Sequence, residues 1–191
     1  SPDPSWEVYR VDRDPGETRD LADTDECKAE RDAVSRWYDH STAPPGAAAA
    51  LLAARPAIAS HLDADLGTSV RLLAAEVPAQ VHAGVPMTIT WTFAARGRVA
   101  PGWKLFVHAD GPNHAFVNGD HTPVRPFEWW RAGQYIRYTT TVTIPRGEPA
   151  GRYTLHVGMF RGTERAHASA PHAEVADDAV AAATFEVVQG A

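Results

Sequence analysis

The segment Met87-Thr88-Ile89-Thr90-Trp91-Thr92-Phe93 alternates apolar residues with threonine without a fault. A period of two sends every second side chain to the same face, so this stretch reads as a half-buried strand and not as a helix. The same period recurs in Val70, Leu72 and Ala74, in Trp103, Leu105 and Val107, and in Ile136, Tyr138, Val142 and Ile144. Tyr153, Leu155, Val157 and Met159 repeat it, and Phe185 with Val187 closes the series. Gly84, Pro101-Gly102, Gly111-Pro112, Pro145-Arg146-Gly147 and Pro149 punctuate the gaps, where a turn needs a fixed or a positive φ. About six to eight short strands with one apolar face each must stack as two sheets to hide those faces.

The predicted fold is therefore mainly β, an antiparallel two-sheet β-sandwich over residues 67–191, immunoglobulin-like or jelly-roll-like, with an N-terminal strand-helix appendage. Within residues 1–40, Trp6-Glu7-Val8-Tyr9-Arg10-Val11 reads as a short strand, and Asp14-Pro15-Gly16-Glu17 as part of a turn. Asp23 stands three residues before Glu26 in the manner of a capping box, and Cys27, Val34, Trp37 and Tyr38 recur near helical spacing. These predict a helix over 25–40 whose apolar stripe needs a partner surface. Residues 41–66 change character: Pro44-Pro45-Gly46 breaks the helix, and an Ala-rich run with Pro56 follows. That composition predicts a semi-rigid linker with a helical turn or two. The segment 163–180, with Glu174, Asp177 and Asp178, reads as a solvated hairpin connection.

Charge narrows the function classes. Eighteen Lys and Arg stand against 24 Asp and Glu, a formal net charge of −6. That balance argues against a partner as anionic as nucleic acid, which calls for a basic face. No apolar run approaches the ~18 residues a membrane helix requires. Cys27 is the single cysteine, which excludes an internal disulfide and a Cys-rich zinc site. The sequence opens at Ser1 without a methionine, as an excised or processed product would.

Two stretches carry a family resemblance. Tyr9-Arg10-Val11 followed by Asp14-Pro15-Gly16-Glu17-Thr18-Arg19-Asp20-Leu21-Ala22 resembles the C-terminal end of sulfatases of the alkaline-phosphatase superfamily, where a last strand leads into Asp-Pro-x-Glu-x-x-Asn-Leu and a closing helix. Arg10 stands where that pattern has Asp, and Asp20 where it has Asn. Residues 67–189 resemble β-sandwich modules that trail large bacterial membrane or exported enzymes. The matching residues are Val70 to Glu76, Ala83-Gly84, Thr88 to Phe93, Leu105-Phe106-Val107-His108, Asp120-His121-Thr122-Pro123, Trp130-Arg131-Ala132-Gly133 and Pro149 to Gly158. Together these imply a non-catalytic accessory module of a bacterial sulfatase-like hydrolase that docks on its parent domain, a partner protein or a polysaccharide. They also imply an extracytoplasmic setting. A formylglycine sulfatase needs Cys or Ser in a Cys/Ser-x-Pro-x-Arg setting. Cys27 lies in Asp25-Glu26-Cys27-Lys28-Ala29-Glu30, so it reads as a small buried helix residue, and the chain is not expected to hydrolyse sulfate esters.

Two clusters are candidate sites. His108, Asp110, His114, Asp120 and His121 are of the residue types that ligate zinc or another divalent metal, and His108 and Asp110, two apart, share a strand face. The alternative is that Asp120 and His121 bond loop backbone and position the 110–130 connection. Trp129 and Trp130, with Arg125, Arg131 and Trp103, form an aromatic group such as carbohydrate-binding modules use to stack sugars. In a strand, adjacent tryptophans point to opposite faces, so one anchors the core while the other is open to ligand. No cofactor follows from either cluster beyond that metal. The apolar Trp6 and Val8 call for a covering surface or for pairing with another chain.

Overall fold

The structure is a computed structural model that describes residues 7–21, 24–30, 33–34 and 46–189. Thirteen strands lie in the described residues: β1 (Leu51–Leu52), β2 (Ala64–Leu66), β3 (Val70–Glu76), β4 (Gln80–His82), β5 (Pro86–Ala95), β6 (Lys104–Asp110), β7 (Phe116–Asn118), β8 (Tyr135–Thr143), β9 (Gly151–Arg161), β10 (Glu164–Arg165), β11 (Ala168–Ser169), β12 (Val175–Ala176) and β13 (Ala179–Val188). They form two sheets. The first runs β1-β8-β5-β3-β2-β11 and is antiparallel throughout. The second runs β12-β13-β9-β6-β7, with β10 on β9 and β4 parallel to β13, so it is mixed.

The alternation read from β5 holds. Met87, Ile89, Trp91 and Phe93 are all buried, and they line up against Val142, Thr140, Tyr138 and Ile136 of β8. Thr140 interrupts the apolar row on β8 for a reason: its Oγ1 accepts the Trp91 indole N–H at 2.8 Å. A buried indole requires such an acceptor. Phe93 packs on Trp130 at 5.3 Å and on Tyr138 at 6.0 Å between ring centroids. From the second sheet Leu105, Val107, Leu155, Val157, Phe185 and Val187 enter the same core cluster. β3 departs from strict alternation. Its register against β5 shifts between Leu72 and Ala74, and Leu73 is buried along with both neighbours. The extra residue of a bulge accounts for three consecutive buried side chains.

The N-terminal segment differs from its expected form. Glu7–Arg10 form no strand, and Val11–Arg13 turn, with the Arg13 and Asp14 N–H groups donating to Arg10 O. A strand is stable only with a ladder partner, and the described residues offer this segment none. Two links close residues 8–21 instead. Val8 N–H donates to Asp20 Oδ1 at 2.9 Å, and Leu21 N–H to Val8 O at 2.8 Å. Inside that clasp the Asp14 carboxylate accepts the Thr18 N–H, the Thr18 hydroxyl and the Arg19 N–H at 2.8 to 2.9 Å. Those bonds, the Arg19 N–H first, hold the Asp14 carboxyl below the usual range. Of the expected 25–40 helix, Asp25, Glu26 and Cys27 form a bend and turn and not a helix, helical backbone covers only 28–30 and 33–34, and residues 31–32 and 35–40, with Trp37 and Tyr38, lie outside the described residues, as do Asp23 and Trp6. Cys27 is buried, whereas Val34 is exposed.

Of the stretch expected to be a linker, residues 41–45 lie outside the described residues, and two short pieces of 46–66 are built into the first sheet. Gly46 to Ala50 make one helical turn, with Ala50 N–H donating to Gly46 O. β1 then pairs with β8 and β2 with β3. Both strands are too short to show a period, so composition alone read them as linker. The 163–180 connection is likewise structured. It leaves the second sheet after β10, places β11 against β2 of the first sheet, and returns through β12.

Candidate functional site

The five residues of the His/Asp cluster do not converge. Strand pairing separates them. His108 and Asp110 lie on one face of β6, as the two-residue spacing requires, but each takes a different partner. His108 Nε2 is 3.5 Å from Asp120 Oδ1, and Asp110 Oδ2 meets His156 Nδ1 at 2.5 Å. His156 was not a candidate; it stands directly opposite His108 in the β6–β9 ladder. Only the register places it there. Asp120 also accepts the Val107 N–H at 2.9 Å, so it fastens the 119–121 segment to β6. His114 sits in the 3-10 turn Pro112–His114 at φ 62° and is exposed. Among the described residues no group of three or more His, Cys, Asp or Glu side chains is arranged to hold a metal ion. The expected divalent-metal set thus lacks the geometry.

His121 faces the core. Its Nδ1 is 3.0 Å from Gly119 O, which can only accept, so Nδ1 carries the proton. Neutral Nε2 then accepts the Tyr138 hydroxyl at 3.0 Å. The ring also packs on Trp91 at 5.8 Å and edge-on to Tyr138. Burial pushes the His121 pKa below its ordinary 6.5 and the Tyr138 pKa well above 10. His121 bridges to Leu105 of the second sheet through its backbone, and Tyr138 belongs to the first. The pair is an inter-sheet tie, in keeping with the structural reading of that loop.

The tryptophan group divides differently from expectation, because Phe127–Trp129 is a 3-10 turn and not a strand. Trp130 is the anchor: it is fully buried against Phe127 and Phe93, and its Nε1–H donates to Arg125 O at 2.9 Å. Trp129 is half-buried and carries the Arg125 guanidinium 5.8 Å from its ring centroid. Arg125 is itself fully buried and donates from Nη2 to Trp129 O. Arg131 donates to the carbonyls of Glu128 and Trp130. Both guanidiniums therefore brace the loop that holds the tryptophans.

Trp103 stands apart from these residues. It is half-buried just before β6, with the Arg161 guanidinium 5.0 Å from its ring centroid. It forms part of the wall of a cleft of about 350 Å³ bounded by the β2–β3 turn, the 98–103 loop and the 164–167 segment. Ser69, Arg98 and Arg165 share that cleft and carry no sequence signal, since three distant turns supply them.

No family model matches the sequence, and no curated protein is similar to it. Among solved structures the chain is similar to the β-glucosidase from Listeria innocua in complex with isofagomine. The identity is 13 % and the TM-score 0.35, over 63 % of this chain and 16 % of that one. So slight a likeness carries neither fold nor function.

Proposed function

We propose that the chain is a non-catalytic accessory domain of a sulfatase-like hydrolase, a β-sandwich seated on its parent domain through the segment that precedes it. Stacking of the two sheets into a sandwich is supported by the single core they share and by the His121–Tyr138 tie. The observation that carries the docking role is the weaving of residues 46–66 into the first sheet. β1 adds to β8, and Ala50 O accepts the Arg137 N–H at 2.8 Å. A module that swings on a flexible tether has no use for such a junction, whereas a seated one does. The clasp over residues 8–21 supports the parent class. Asp14 organises the turn of the Asp-Pro-x-Glu pattern, and Asp20 presents a single side-chain oxygen to Val8 N–H, which an Asn carboxamide would do equally well.

The test uses the whole chain and a sulfatase-like domain lacking its own terminal segment. Calorimetry is expected to show saturable association, weakened when Asp14→Ala opens the clasp. No association would overturn the docking role. Turnover of p-nitrophenyl sulfate by the chain alone would overturn its non-catalytic character.

A further inference from the structure

We propose that the cleft beside Trp103 binds an uncharged sugar, a pyranose ring of a neutral glycan. This goes beyond the docking role and stands independently of it. The volume of about 350 Å³ falls at the small end of the ~300–1,000 Å³ typical of ligand pockets, which suits one ring or two.

The lining joins an apolar floor to a hydroxyl-bearing rim. Leu66, Val70, Val99 and Met159 are buried and make the floor apolar. Trp103 adds an indole, which offers a sugar's C–H face a flat apolar partner. The Arg161 guanidinium lies 5.0 Å from the centroid of that ring, tied at 2.9 Å to Glu164, and orders it by stacking. Arg161 does not line the cleft, so the indole surface that does is the part it leaves uncovered. At the β2–β3 turn the Thr68 and Ser69 side-chain hydroxyls have no hydrogen-bond partner among the described residues. Each can donate to one sugar hydroxyl and accept from another.

The charged groups of the lining are already matched. Glu164 is paired with Arg161, and His167 with Asp178 at 3.1 Å. Arg165 donates to Asp177 O at 2.8 Å while its guanidinium lies over the Phe106 ring, and Arg98 is engaged as well. An ion entering the cleft would give up its water and meet no open counter-charge. A neutral polyol gives up only hydroxyl hydration, which Thr68 and Ser69 replace. A ring with one C–H face and a hydroxylated edge is thus matched on the floor, on the indole and on the rim.

The walls are fixed before any ligand arrives. Arg96 N–H donates to Ser69 O at 2.8 Å, and a Cβ on Gly97 would lie 3.0 Å from Ser69 Oγ, so the 96–103 loop is pressed against the β2–β3 turn. Gly67 N–H donates to His167 O at 2.8 Å, and Ala166 N–H to Met159 O at 3.0 Å, which hold the third wall. Preformed walls reduce the ordering cost that binding otherwise incurs.

Calorimetric titration of the whole chain with the neutral disaccharides cellobiose, maltose, lactose and chitobiose, beside charged digalacturonate, tests the proposal. Saturable binding of at least one neutral disaccharide is expected, with a Kd that changes less than about twofold between about 0.05 and about 0.5 M salt. Thr68→Val, an isosteric change at an exposed position, is expected to weaken it about fivefold. Trp103→Phe is expected to weaken it by a similar factor, about fivefold. Ala100 is exposed and lines the cleft, so Ala100→Trp is expected to block binding while leaving the thermal midpoint unaltered. Absence of binding by all four at millimolar ligand, affinity that falls with salt, or tighter binding of digalacturonate would overturn the proposal. Tighter binding of N-acetyltryptophanamide would assign the cleft to an apolar side chain and overturn it as well. Binding untouched by Ala100→Trp would place the sugar elsewhere, with the same result.

Discussion

Replacing His121 separates two contributions of one ring, its hydrogen bond and its neutrality. With His121→Phe, the Tyr138 hydroxyl loses the acceptor 3.0 Å away while staying buried. A buried donor left without a partner costs about 1–3 kcal/mol, so that loss is expected in urea unfolding at neutral pH. Acidification adds a second effect with a definite sign. Burial puts the folded-state pKa of His121 below its ordinary 6.5, so the unfolded chain takes up the proton first. The wild type therefore keeps its full stability above that ordinary value and loses some as pH falls from there through the folded pKa. Between about pH 7.5 and about pH 5.5 the loss from this one group reaches at most about 1.4 kcal/mol. His121→Phe has no such proton to bind, so the stability gap between the two proteins is expected to narrow on acidification. Taking the difference cancels every titration the two share. A gap that stayed constant would mean that folding is indifferent to the His121 proton, and one that widened toward acid pH would mean that the protonated ring is the better tie; either would refute the neutral-imidazole assignment.

Gly111→Ala is expected to cost about 3 kcal/mol in the same assay, since a Cβ there would lie within 2.2 to 2.7 Å of the Tyr153 ring, whose hydroxyl is fixed to Pro149 O. Its extended backbone, φ −124°, suits any residue, so the whole cost is steric. Thr92→Val is expected to gain about 1 kcal/mol, because Thr92 Oγ1 is buried with no hydrogen-bond partner among the described residues; a loss in thermal midpoint would show that the hydroxyl is bonded. Asp65→Asn weakens the pairs to Arg71 at 2.7 Å and Arg96 at 3.0 Å and is expected to cost about 1 kcal/mol at neutral pH. Arg71 above all holds the Asp65 carboxyl below its usual range. The benefit is thus full above the unfolded carboxyl's pKa and is lost as pH falls through the folded one, so the variant and wild type should converge in acid.

The long strands are legible because their inward residues repeat over many positions, broken on β8 only at Thr140: β5, β8 and β9 each run for nine residues or more and are paired along their length. β1, β2 and β11, of two or three residues, carry no period and exist only because a longer neighbour offers a ladder. The candidate site suffered from the same blindness. Spacing put His108 and Asp110 on one face correctly, but whether their neighbour is another ligand or His156 depends on the β6–β9 register, which no local pattern encodes. Trp129 and Trp130 were read on a strand geometry that the 3-10 turn after Pro126 replaces. The cleft beside Trp103 was invisible for a plainer reason, since its walls come from turns far apart in the chain.

That distance has a consequence for how the protein is made. Leu66 of β2 pairs with Ala168 of β11, so roughly half the chain separates the two edges that meet there. During vectorial synthesis β2 leaves the ribosome with its outer edge bare, and loop closure of that length is slow. The cleft has a floor from Leu66 and a wall from residues 164–167, so it comes into being only once nearly the whole chain has emerged. A nascent chain that ends before Ala168 lacks the strand that covers the outer edge of β2, so that edge stays open to other chains until β11 arrives.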